Sequence, residues 1–489
     1  MDQARPVNAV ELGKGILAGL LVLALSVAIG FLLGDTLTSP RWQDAVRVAV
    51  LGALFVAILG KPVHGLMLWI ILAPYSQASY TTIWRILNIR LPPGVPSLTL
   101  DRLAVGLLTV VWVAQLAARK KRMRRPGAVE TCMIGFCIMV LPAVAAGMSG
   151  LNSTGQLLLD KFITPFLVFV LAKNLYEEKN GLDRLMATLA VIGLYLSFMV
   201  FFELLTDQPV LYMVGRTTTY TRSLRKITSL LGNPAFLGTV LSMIAPMALY
   251  KARRERSRYG RAFWAGLTLA TFLGAFFCYN RGVWVAMAAA LLVLLLERQY
   301  RRIMIPVILI GLVVALVYWQ AISESAVVTE RLSNVSSIRF RVNMLEVSRK
   351  IIRDSWLFGV GVDNFSYYYL EYGGHWETLA YDEPTPHSTY ISVLATMGVV
   401  SLIPYVLIFL SMFLKLARLK RRSRLHTKVD AALLVSSMGV IAVYAVSSAA
   451  VDLHINAFTS QVFFLIMGTV LGYVSERRSV GPNLQEAKA

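Results

Sequence analysis

Apolar residues in this chain gather into long runs, separated by short polar, basic or proline-rich stretches. A helix needs about 20 mostly apolar residues to cross the hydrocarbon core of a bilayer. Fourteen runs approach that length: 14–34, 43–60, 62–80, 98–118, 128–149, 156–173, 185–205, 231–250, 262–279, 282–296, 303–319, 388–414, 429–450 and 456–474. Backbone amides and carbonyls find no water partner in hydrocarbon, so each run reads as a helix; a barrel would need short alternating strands. The pattern predicts an all-α fold, a polytopic membrane helix bundle of about 12–14 transmembrane helices with one long outer loop. Four regions follow: N-terminal helices in 1–205, central helices with a basic outer loop in 206–319, the outer loop 320–387, and C-terminal helices with a tail in 388–489. The first run outlasts a signal-peptide core and reads as a span. Run 62–80 carries Pro62 and Pro74, and run 156–173 carries Asp160 and Lys161, so both depart from a plain span.

The outer loop contains a further periodic stretch, Ser336 to Trp356. Ile338, Val342, Leu345 and Ile352 share one helical face, while Arg339, Glu346, Arg349, Lys350 and Arg353 take the others. Such a helix lies along a membrane surface or roofs a cavity. Composition agrees with the pattern: 56% hydrophobic and 15% charged residues exclude a soluble enzyme and a disordered chain. Cys132, Cys137 and Cys278 all sit in apolar runs, without disulfide or metal-ligand spacing.

The net charge of +21 matters only once the basic residues are sorted by membrane side. With the N-terminus in the cytoplasm, the dense clusters Arg119–Arg125, Lys251–Arg256 and Lys415–Arg424 all fall on the inner side. This predicts an even number of spans with both termini cytoplasmic, and gives the basic residues a bilayer rather than nucleic acid as partner.

Some basic residues fall on the other side. Arg216, Arg222, Arg225 and Lys226 share one short outer loop. Arg281 occupies the tight turn Cys278-Tyr-Asn-Arg-Gly-Val-Trp284 between two apolar runs, with no carboxylate within ten residues. A cation held at membrane depth needs an anionic partner. The guanidinium fork matches phosphate oxygens, and each charge-assisted bond is worth about 1.5–3 kcal/mol. An outward-facing phosphate site is therefore predicted; solvated loop charges are the plainer alternative. His387 lies in Pro384-Thr-Pro-His-Ser-Thr-Tyr390 and opens a helix at the outer edge. A helix N-terminus favours the neutral, proton-accepting imidazole, and Asp382 and Glu383 are near in sequence. A capping or tyrosine-bonded structural histidine is the alternative.

Four stretches together resemble one family: Thr228-Ser-Leu-Leu-Gly-Asn-Pro-Ala-Phe236, Asn280-Arg-Gly-Val-Trp284, Asp354-Ser-Trp-Leu-Phe-Gly-Val-Gly-Val-Asp-Asn-Phe365 and His387-Ser-Thr-Tyr-Ile-Ser-Val-Leu-Ala-Thr-Met-Gly398. In this order they are similar to the O-antigen ligase and Wzy-type polymerase superfamily, over roughly 220–415. The resemblance implies a glycosyltransferase of the bacterial inner membrane that takes a glycan from undecaprenyl diphosphate on the outer face. The acceptor would be a hydroxyl of a lipid or saccharide such as lipid A-core. Inversion at the anomeric carbon and no metal or other cofactor are implied. The family's phosphate-binding arginines would be Arg281 and one of Arg225, Lys226 or Arg222, and its base would be His387. Asn280 stands where the family usually has serine. The second reading is a transporter or flippase for a lipid-linked saccharide, which a basic cavity among many spans would also suit.

Overall fold

A computed structural model describes residues 42–77, 99–121, 123–175, 181–207, 227, 229–317, 335–373, 385–426 and 430–479. The predicted span 14–34 lies outside the described residues. Among those that are described, the chain is helical with no strand, and nine helices are long and apolar enough to cross a membrane.

The first part of the bundle comprises α1 (Trp42–Gly60), α2 (Pro62–Gln77), α3 (Leu100–Ala117), α4 (Ala128–Met139) and α5 (Leu141–Ala145). Next come α6 (Leu151–Leu158), a π-helical turn at Leu159–Ile163, α7 (Thr164–Leu175) and α8 (Gly181–Thr206). The central part comprises α9 (Pro234–Arg254), α10 (Arg258–Phe277), α11 (Arg281–Leu294) and α12 (Arg298–Val317). The loop helices are α13 (Val335–Ser355) and α14 (Phe365–Glu371). The chain ends in α15 (Thr389–His426), α16 (Ala431–Ala450) and α17 (Ala457–Ser479).

Burial ranks these helices. The spanning window of α17 is 94% buried and that of α9 89%, against 28% for α3 and for α10. The first two are therefore the axis of the bundle, and the last two its lipid-facing wall. Hydrocarbon gives helices little hydrophobic reason to associate, so close packing must hold them. At Gly468 in α17 a Cβ would lie 2.5 Å from the Phe169 carbonyl oxygen, so the α7 and α17 backbones meet only because that side chain is absent. Around them, Phe409, Tyr444 and Phe463 stack, the last two with ring centroids 4.3 Å apart.

The charged run 156–173 does form a helix, and the π turn absorbs its polar residues. Asp160 takes two hydrogen bonds from Arg102, at 2.9 and 2.6 Å. The pair neutralises both charges between α3 and the π turn.

The run 388–414 forms a span as expected, but its helix α15 is broken at Gly398, where φ is 74° and ψ 174°. The loop between α13 and α14 fills the break. The amides of Val360 and Gly361 donate to the carbonyls of Ala395 and Thr396, and the amides of Val399 and Val400 donate to those of Trp356 and Leu357. A helix can be interrupted at membrane depth only when protein groups replace the lost backbone bonds, and this loop supplies them.

Helix α13 forms where the periodicity places it, but its buried face is shifted: Ile352 of the predicted stripe packs partly against the loop core, and the rest of that contact comes from a neighbouring stripe. Met344, Val347 and Ile351 are buried against Val360, Phe365, Tyr369 and Ala395, whereas Val342 and Leu345 are 56% and 54% exposed. Two apolar stripes run along this helix, and α14 and α15 cover only one of them.

Candidate functional site

The two ends of the bundle differ in chemistry. At one end the basic clusters tie helices together: Arg254 to Asp430 at 2.5 Å, Lys251 to Asp183 at 2.7 Å, and Lys420 to the Leu296 carbonyl at 2.7 Å. Arg124 bonds the Gly472 carbonyl and Lys173 pairs with Glu130 at the same end. The segments that the positive-inside pattern puts together are thus together in space.

Three of the four family-like stretches meet at the opposite end, around the last turn of α16, while Asp354–Phe365 packs beside them on α15. Asn233 caps α9 by accepting from the Ala235 amide at 2.8 Å, and Pro234 follows as the first helical residue. One turn on, Thr239 donates to the Ser447 hydroxyl of α16 at 3.1 Å. Asn280 caps α11 by accepting from the Val283 amide at 3.2 Å. Asparagine and serine are equivalent caps, so the departure from the family pattern keeps the local structure. Arg281 is the first residue of α11, and a Cβ at Gly282 would lie 2.7 Å from the Ala450 Cβ at the end of α16. The Thr389 amide donates to the Val451 carbonyl at 3.3 Å, its hydroxyl donates to the same carbonyl at 3.1 Å, and the Ser388 hydroxyl reaches the Ser448 carbonyl. Residues 448–451 therefore join the Arg281 turn to the turn that bears His387.

The backbone is strained where these stretches lie. Among the described residues, the non-glycine residues with positive φ are Arg119, Asp207, Ser229, Tyr279, Asp363 and His387. Ser229, Asp363 and His387 are inside three of the stretches, and Tyr279 immediately precedes the fourth. Each such residue costs of order 1–3 kcal/mol and persists where the surroundings impose it, commonly at functional sites.

Arg281 is exposed at its helix terminus, rather than wedged as the tight turn predicts. It has no hydrogen-bond or ion-pair partner among the described residues. A cation at a helix N-terminus opposes the helix dipole, so local structure does not account for it. His387 is half-buried and hydrogen-bonding is in place around it, through Ser388 and Thr389. Arg222, Arg225 and Lys226 lie outside the described residues, as do Asp382 and Glu383.

The structure adds two groups that sequence reasoning passes over. Asp452 and His454 follow α16 directly and are buried, with Asp452 Oδ1 2.6 Å from His454 Nδ1. The contact is close but poorly aligned for a hydrogen bond, and neither carboxylate oxygen has a hydrogen-bond partner among the described residues. The His454 ring stacks on Phe162 of the π turn, centroids 5.3 Å apart. The Leu453 amide donates to the Thr389 hydroxyl at 2.9 Å, so this carboxylate–imidazole pair is clamped to the His387 turn. Its only sequence signal is an Asp-x-His between two closely spaced apolar runs.

Residues 266–406 match the O-Antigen ligase family. That stretch contains Asn280–Trp284, Asp354–Phe365 and His387–Gly398, while Thr228–Phe236 lies before it. No curated protein matches the chain. The match supports the O-antigen ligase superfamily for this part of the chain and points to membrane glycosyl transfer of the ligase or polymerase type.

Proposed function

From the O-antigen-ligase domain at 266–406, we propose that this protein moves a glycan from undecaprenyl diphosphate to an acceptor hydroxyl on the outer face of the bacterial inner membrane. The acceptor is lipid A-core or a growing polysaccharide. One observation carries the reading: Arg281, exposed and without a side-chain partner among the described residues, and His387 sit on turns whose neighbouring residues, Gly282 and Thr389, pack on the same turn of α16.

The chemistry follows from that pairing. Arg281, with one of Arg225, Lys226 or Arg222, holds the diphosphate. The N-terminal ends of α9 and α11 add their positive dipole ends at the same level. The acceptor oxygen attacks the anomeric carbon as its proton passes to His387. The bond from that carbon to the diphosphate oxygen breaks on the opposite side, so the configuration inverts. The guanidinium groups take up the charge that grows on the departing diphosphate, which supplies the electrostatic stabilisation without a metal.

The test uses the full chain in liposomes with a purified lipid-linked glycan and a lipid A-core acceptor. Loss of product in His387→Ala and Arg281→Ala, at unchanged protein level and thermal midpoint, is the expected outcome. Transfer at the normal rate in either variant would overturn the proposal, and so would donor flux across the bilayer without transfer.

A further inference from the structure

Far from this site, at the end of the bundle where the basic clusters gather, the first turns of α12 border an open cleft of about 360 Å³. It is lined by Arg298, Arg301, Arg302, Ile305 and Pro306. The opposite face of α12 is anchored: Tyr300 is fully buried and shares a 2.8 Å hydrogen bond with Ser436 of α16, and Met304 is buried one turn on. The three guanidiniums are therefore turned away from the bundle, and all three residues are exposed. None has an ion-pair or side-chain hydrogen-bond partner among the described residues. The nearby carboxylate, Glu297, lies 3.9 Å from Lys420 instead.

We infer that this cleft binds the phosphodiester headgroup of an anionic phospholipid. Three observations point the same way. Three fork-shaped cations converge on one cleft without a counter-ion among the described residues, and their planar donors suit phosphate oxygens. The wall continues as an apolar track along the same side of α12: Ile305, Leu309, Val313 and Leu316 are each 46–65% exposed. Charge at one end and an apolar stripe running from it is the shape of a phospholipid, not of a soluble phosphate. Finally, the cleft lies at the end that the positive-inside pattern assigns to the cytoplasmic leaflet, where basic pockets meet anionic headgroups. A lipid seated there would hold down the turn between α11 and α12, the far end of the helix whose first residue is Arg281. The inference concerns a separate surface and stands whichever acceptor the enzyme uses.

The full chain in phosphatidylcholine nanodiscs doped with phosphatidylglycerol provides the test, read by native mass spectrometry of retained lipid. The wild type should retain phosphatidylglycerol in preference to phosphatidylcholine. The triple variant Arg298→Gln, Arg301→Gln, Arg302→Gln should lower that preference about tenfold or more. A charge-matched control, Arg256→Gln, Arg258→Gln, Arg261→Gln at the same end, should leave it unchanged. Inorganic phosphate should fail to displace the lipid. Equal retention in the triple variant, equal loss in the control, no preference in the wild type, or displacement by phosphate alone would each overturn the inference. Should the triple change prevent folding, Arg302→Gln alone gives the same readout.

Discussion

Arg281 and Asn280 are neighbours with opposite debts to the fold. Asn280 caps α11, so Asn280→Ser should leave the thermal midpoint unchanged, whereas Asn280→Ala should cost about 1 kcal/mol in an unfolding titration. Arg281 contributes nothing comparable to local structure, and its replacement should spare stability. Arg281→Lys keeps the charge but loses the fork. It should lower kcat/KM for transfer by about one to two powers of ten, the worth of a charge-assisted bond. His387→Ala should cost 10²–10⁴-fold in kcat, the usual yield of a positioned proton acceptor. These two residues are legible in the sequence because each sits in a short string with strong local grammar: an arginine at a hairpin turn of apolar runs, and a histidine after two prolines. Asp452 and His454 lack such grammar. A carboxylate two residues from a histidine acquires meaning only when α16 ends against the His387 turn, a contact between residues more than sixty positions apart.

At the level of elements, the break in α15 is the feature most worth perturbing. A Cβ at Gly398 would lie 2.1 Å from the Leu357 carbonyl oxygen, and φ is in the left-handed region. Gly398→Ala should destabilise the protein by at least about 2 kcal/mol, measured as the midpoint shift on thermal unfolding in detergent. Helix α13 is held to α14 by a second, pH-sensitive contact. The Tyr372 hydroxyl donates to Asp354 at 2.7 Å and, with Arg353, holds that carboxyl below its ordinary value. The folded form therefore binds the proton less readily than the unfolded one. The clamp contributes fully above the ordinary aspartate range near pH 4 and is lost as pH falls through the lowered folded value. Hydrogen-exchange protection over 350–373, taken relative to the intrinsic rate at each pH, should fall on acidification in the wild type, and Asp354→Asn should remove the dependence. The existence of α13 is readable from periodicity, but its buried face is not. Periodicity reports that apolar stripes exist, and only the arrangement of α14 and α15 decides which one is covered.

For the whole molecule, arrangement in the membrane is the testable quantity. Tyr367 belongs to α14 near the site and Arg256 to the basic end. With the native cysteines replaced by serine, an impermeant maleimide on intact cells should label Tyr367→Cys, and should label Arg256→Cys only after permeabilisation. The reverse pattern would turn the molecule over. Gly468→Val should separate α7 from α17 and lower the midpoint, because the two backbones touch there. That the chain is built of many apolar helices, with its basic clusters gathered at one end, is legible from hydropathy and charge, since both follow from the solvent. The order of burial is not: α9 and α17 are less apolar than α8, α15 and α16, and at Gly468 the central place of α17 rests on a small residue that lets helices approach.

The interleaving of Trp356–Gly361 with Ala395–Val400 carries a consequence for engineering chimaeras. A graft of the loop between α12 and α15 alone from a homologue, cut before the last helices, would leave the gap at Gly398 without its native donors and acceptors. The smallest exchangeable cassette runs from Asp354 through Val400, and acceptor preference should travel between homologues only when that whole piece is moved.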